Sequence, residues 1–182
     1  HNVGFMAVDL LAERYGFPAW QKKLTALQSA GRIGTDKIIL VKPQSYMNKS
    51  GLPVAEVAQF HKIPPDKIFV FHDELDLAAG RLRVKQGGGH GGHNGLRDID
   101  RHLGQNYWRV RIGIGRPENP AMDVKAWVLA DFAKSETSGW IAELLRAIAD
   151  EAPRLTSHDD GGFMSRVAFL APPPKPIQTE TQ

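Results

Sequence analysis

The sequence predicts a single α/β domain in three layers, with helices on both faces of a sheet. Three observations carry that expectation. Apolar runs of strand length, such as Ile38-Ile39-Leu40-Val41 and Ile68-Phe69-Val70-Phe71, alternate with stretches of three- and four-residue apolar spacing. Glycine and proline punctuate the transitions. The length of 182 residues suits one substantial core, since about 70% of the unfolded surface is buried at this size.

The elements follow in order. Residues 5–15 make a helix, because Phe5, Val8, Leu11 and Ala12 share a side, and Gly16 and Pro18 stop it. Residues 24–30 and 37–42 pair as strands around a turn at 31–36. After a loop at 43–48, Val54, Val57, Ala58 and Phe60 mark an amphipathic helix over 51–61, ended by Pro64-Pro65. The continuous run 68–71 is that of a buried central strand, and it leads directly into His72-Asp73-Glu74-Leu75-Asp76. Gly80 marks a turn.

Alternation then puts Arg81, Arg83 and Lys85 on one strand face, and Arg109 and Arg111 on one face of the strand over 108–114. Between them lie a glycine loop, GGGHGGHNG at 87–95, and a short helix at 96–103 ended by Gly104. A loop at 115–121 precedes a strand at 124–129. The clearest helical period runs over 135–155, through Trp140, Leu144, Ala147 and Ile148. Residues 162–170 are a short helix or extended piece. The domain is expected to span 1–170, and the Pro-rich polar stretch 171–182 to be a disordered tail.

Composition narrows the chemistry. Apolar residues at 42% and charged residues at 24% are ordinary for a globular chain. No apolar run approaches the ~20 residues of a membrane span. The absence of cysteine excludes disulfides, a thiol nucleophile and Cys-ligated metal. The net charge of +3 is too small to demonstrate nucleic-acid binding by itself.

Several stretches can carry function, each with a plainer alternative. The glycine loop allows close backbone approach to a ligand ahead of a helix N-terminus, or is a connector; it is neither G-x-G-x-x-G nor a Walker A sequence. His90 and His93, with His72 or Asp73, invite a metal reading, but the spacing matches no common zinc signature and no metal is expected. Asp73 stands nearest the C-terminal end of its strand, the edge where open α/β sheets bind ligands, yet an acidic run there is also an ordinary solvated turn. Asn48 and Ser50 are candidate N-caps or substrate contacts. The two alternating basic strands form either one phosphate-binding face or two separate solvated ones.

Five stretches in this order resemble the bacterial peptidyl-tRNA hydrolases: His1-Asn2-Val3-Gly4, KPQSYMNKSG at 42–51, FHDELDL at 71–77, GGGHGGHNGLRDI at 87–99 and RVRIGIGRP at 109–117. The resemblance covers residues 1 to about 170. It implies a mixed β-sheet between helices and a hydrolase that cleaves the ester between peptide and tRNA. By resemblance, His1 is the general base and Asp73 the carboxylate that orients it. Met47, Asn48, His93 and Asn94 line the substrate cleft, and Lys85 and Arg111 clamp a tRNA phosphate. It implies no cofactor or metal, peptidyl-tRNA as the partner, a monomer, and a cytoplasmic role in translation. It also implies a strand with a Gly-Asn-Pro-Gly turn ahead of the histidine; this chain begins at His1. A non-catalytic RNA-binding protein of the intron-splicing type, on the same fold, is the alternative.

Overall fold

Val3, Ala7, Leu11 and Ala12 form the buried stripe that makes α1 (Val3–Arg14) a core helix, and the Asn2 side chain caps it by accepting from Phe5 N at 3.2 Å. The structure, a computed structural model, describes residues 2–175, with the backbone alone at Asn48. His1 and residues 176–182 of the expected tail lie outside the described residues.

β1 (Gln21–Lys23), β2 (Ala26–Ile33) and β3 (Asp36–Pro43) form an antiparallel sheet in that order. The six-residue turn expected at 31–36 is a two-residue turn, because Ile33 pairs with Asp36 and Gly34 takes the positive φ of +62° that such turns require. Gly31 belongs to the strand instead: the Phe17 ring lies over it, where a side chain would collide.

A 3-10 turn (Met47–Lys49) leads into α2 (Gly51–Phe60). Next come β4 (Phe69–Glu74), β5 (Leu82–Gln86), α3 (Asn94–Leu103) and β6 (Trp108–Gly113). Here the pairing is mixed: β6 runs parallel to β4 and antiparallel to β5. β6 is therefore the centre of this second sheet and β4 one edge of it, contrary to the central place expected for residues 68–71. Phe69, Val70 and Phe71 are accordingly only half-buried. They border a largely apolar cavity of about 1150 Å³ that is also lined by Ile38 and Leu40 of β3, with His72, Asp73 and His93 in its wall.

The last third is helical. Residues 124–129, expected as a strand, are α4 (Val124–Leu129): the Asp123 side chain caps Lys125 N at 3.3 Å, and Trp127 and Val128 turn together onto the core. The expected long helix is broken at Gly139 into α5 (Lys134–Ser138) and α6 (Trp140–Thr156). Residues 162–170 fall within a helix, α7 (Asp160–Leu170), capped by Asp159. Past α7, Ala171 is buried and Pro174 rests against the turn at Gly80.

Helices cover both faces of the β4–β6–β5 sheet. Val110 and Ile112 of β6 pack with Val3, Ile141, Leu144, Ile148, Phe163 and Val167 of α1, α6 and α7. Val70, on the other face, packs with Leu96 and Ile99 of α3 and with Val54 of α2. The sheet thus presents its C-terminal β4 end and its basic face to α3 and the glycine loop.

Candidate active site at the C-terminal end of β4

His93 ties the site together from two directions. Its backbone is extended just ahead of α3, and its Nδ1 accepts from Leu96 N at 3.2 Å, so the side chain is the helix N-cap. A ring nitrogen that accepts an N–H carries no proton, so the proton sits on Nε2. Nε2 then donates to Asp73 Oδ1 at 2.9 Å. Twenty residues of sequence separate these partners, and Gly91 and Gly92, at φ of +56° and +83°, let the loop turn tightly enough to join them.

Burial alone pushes the Asp73 carboxyl up, but the effects that lower it, led by the hydrogen bond from His93, outweigh burial and leave Asp73 below its ordinary value. It is held ionised. His72, the preceding residue, is buried and pulled down from 6.5 to about 4, chiefly by desolvation and then by His93. Its Nδ1 donates to the Asp73 carbonyl at 2.8 Å, and its Nε2 has no hydrogen-bond partner among the described residues.

A stability consequence follows. The folded state keeps His72 neutral while the unfolded chain protonates it near 6.5, so stability is present above that pH and falls as pH drops from about 6.5 towards 4. Urea unfolding across that window should show the decline, and His72→Gln should flatten it; superimposable pH profiles would rule out this contribution.

The remaining predicted residues are placed as follows. Met47 opens the 3-10 turn, and its sulfur packs where a side chain on Gly95 would stand, against the start of α3. Asn48 lies in the same turn. Asn94 is the exposed first residue of α3, beside His93. Met47 therefore shares the cavity wall with Asp73 and His93, Asn94 adjoins His93 in the chain, and His1 lies outside the described residues. Ser50 does not cap α2. Its hydroxyl donates to Met47 O at 2.8 Å, and the α2 N-terminus is capped instead by Asp98 Oδ2, which accepts from Gly51 N at 2.7 Å.

The register settles the basic face. Lys85 lies opposite Arg109 and Arg83 opposite Arg111, so all four project from one side of the sheet. They are not equivalent. Arg109 is 2% exposed, and its Nη1 and Nη2 donate to Gly89 O and Gly88 O, both at 2.7 Å. It also stands 3.4 Å from Asp100 Oδ1 and 4.5 Å from the Tyr107 ring centroid, while Tyr107 Oη donates to Asp100 at 2.6 Å. Arg109 is thus the anchor of the glycine loop rather than part of an accessible face. Arg111 donates to Glu74 Oε1 through Nε at 3.0 Å and Nη2 at 2.7 Å. Lys85 is exposed and its stem crosses Gly88.

The metal reading fares poorly on the donors themselves. His90 is turned into its own loop, accepting from Gly92 N at 3.0 Å. His72, Asp73 and His93 do place ligand atoms within 4.8 Å of one another. Yet both His93 nitrogens are engaged and the His72 Nε2 is buried, which is the arrangement of a hydrogen-bonded carboxylate–histidine pair. What the site can do chemically is hold a carboxylate ionised in a cleft wall, with Arg111 on the strand beside it.

The profile of the family described as peptidyl-tRNA hydrolase matches residues 1–175. The peptidyl-tRNA hydrolase of Rhodospirillum centenum is 52% identical over 175 residues, covering 96% of this chain and 76% of that protein. That of Acidiphilium cryptum is 51% identical over 171 residues, covering 93% and 88%. The crystal structure of peptidyl-tRNA hydrolase from Acinetobacter baumannii superposes with a TM-score of 0.82 at 37% identity, over 94% of this chain and 87% of that one.

Proposed function

From the premise that this chain belongs to the peptidyl-tRNA hydrolase family and hydrolyses the ester between peptide and tRNA, we propose how its residues do so. His1 is the general base that takes a proton from water, and Asp73 orients it. The observation that supports this is the ionised Asp73 held by His93: Oδ1 receives His93 Nε2–H, and a carboxylate has a second oxygen with which to fix another imidazole. Imidazole suits the task because its ordinary pKa lies near neutrality.

Water attacks the ester carbonyl as its proton passes to His1, and the charge moves onto the carbonyl oxygen. The side-chain amides of Asn48 and Asn94 hold the peptide backbone and donate to that oxyanion. Collapse breaks the bond to the ribose oxygen, which takes the proton back from the imidazolium. The products are tRNA with a free 3′ hydroxyl and a peptide carboxylic acid, which loses the second proton of the water to solvent and leaves as the carboxylate. Met47 supplies an apolar wall for the peptide, and Lys85 and Arg111 bind the 5′-phosphate of the tRNA. The enzyme works as a monomer without a metal, in the cytoplasm where its substrate arises; no helix among the described residues is long and apolar enough to cross a membrane.

His1→Ala in the complete chain is expected to slow single-turnover peptide release by roughly 10²–10⁴-fold, the usual worth of a positioned base, with tRNA affinity retained. Undiminished release would remove His1 from the chemistry. Tight tRNA binding with no turnover by the unaltered protein would instead favour an RNA-binding role.

A further inference from the structure

Arg111 does not stand alone on the basic face. It lies opposite His72 on one side and Arg83 on the other, and Glu74 of β4 reaches over to take two of its N–H donors on a single carboxylate oxygen. Both side chains are mostly covered, at 27% and 20% exposure, so solvent screens the pair less than a fully exposed one. Lys85 is the diagonal neighbour of Arg111 across β5 and β6, a separation of roughly 7–8 Å that one phosphate can bridge.

We infer that Glu74 is a specificity-determining residue that moderates the phosphate site, by cancelling part of the Arg111 charge and competing for the donors a terminal phosphate would use. The inference rests on the reading of Lys85 and Arg111 as the phosphate pair. Its physical content is simple. Glu74 lowers the net charge of the Lys85–Arg111 pair from two to one, and Arg83, opposite Arg111, adds its own charge with or without it. A terminal phosphate bears nearly two negative charges, so it feels that difference at contact distance, whereas more remote backbone phosphates feel it through screening water. Glu74 therefore keeps the 5′ end from binding too tightly, which lets deacylated tRNA leave.

The test is equilibrium binding of one deacylated tRNA, with its 5′-phosphate and after enzymatic removal of it, to the wild type, Glu74→Gln, Arg111→Ala and the double variant. Gln keeps an acceptor oxygen for Arg111 and removes only the charge. The wild type should prefer the phosphorylated tRNA, and Arg111→Ala should erase the preference. Glu74→Gln should tighten the phosphorylated tRNA by at least about three- to tenfold, the size expected of one charge about 4 Å from an anion when water screens the pair fully. It should move the dephosphorylated tRNA less than twofold and do nothing in the Arg111→Ala background. A wild type indifferent to the 5′-phosphate overturns the phosphate-pair reading and this inference with it. A preference that is present but unchanged or weakened by Glu74→Gln overturns the inference alone, as does equal tightening of both tRNAs.

Discussion

Asp73→Asn should lower kcat for peptidyl-tRNA by about 10²–10⁴-fold while leaving KM and the folded structure nearly unchanged. The change is isosteric, so the 2.9 Å contact with His93 Nε2 can survive as a hydrogen bond to the amide oxygen. What disappears is the charge. Asp73 is ionised because the effects that lower it, led by the hydrogen bond from His93, outweigh its burial. In the proposed mechanism that charge stabilises the imidazolium formed when the base takes the proton of water. An amide cannot do so, and it can also hold the base in the wrong tautomer. Quench-flow measurement of peptide release, at saturating enzyme, isolates the step. If Asp73→Asn releases peptide at the wild-type rate, the carboxylate is structural, and His93, which it holds, becomes the group to examine.

Arg109→Ala should be the most damaging change to stability, costing about 3–5 kcal/mol. The guanidinium is almost wholly buried and satisfies two glycine-loop carbonyls, and it lies against Asp100 and the Tyr107 ring. Deleting it leaves Asp100, whose side chain is only 10% exposed, as a buried charge without its cation. Arg109→Lys should recover only part of the loss, because an ammonium cannot reach both carbonyls as the planar fork does. Urea unfolding gives the energy, and amide exchange across 87–92 reports the loop, whose protection should fall in both variants. A loss below ~1 kcal/mol, as for a surface ion pair, would mean that the loop is held by its own turns.

The catalytic consequence of Arg109 runs through the backbone. His93 and Asn94 follow the glycine loop directly, so a loop no longer tethered at Gly88 and Gly89 loses the turn that brings His93 onto Asp73. Its variants should therefore depress peptide release even where they remain folded, through a position that touches no substrate.

Local pattern determined much of this protein. The periodicities of residues 5–15, 51–61 and 135–155 follow from side-chain spacing alone, and the helices are there, with Gly139 dividing the last. The strand ahead of Asp73 and the alternation of basic residues over 81–85 and 108–114 were equally legible, since strand faces repeat every two residues whatever the fold. The motif set also pointed to the family. What spacing left ambiguous was a short apolar stretch such as VKAWVL at 124–129, where strand and helix patterns coincide and the Asp123 cap decides.

Tertiary structure alone decided the rest, because partners distant in sequence have no local signature. Asp98 caps α2 across 47 residues of chain, and His93 finds Asp73 across 20. Arg109 and Arg111 look alike in the sequence, two steps apart on one strand. Packing against the glycine loop buries the first as a structural anchor, and the neighbouring strand supplies Glu74 to the second. The alternation specified which face each arginine occupies; only the strands and loop brought beside them specified what each one does there.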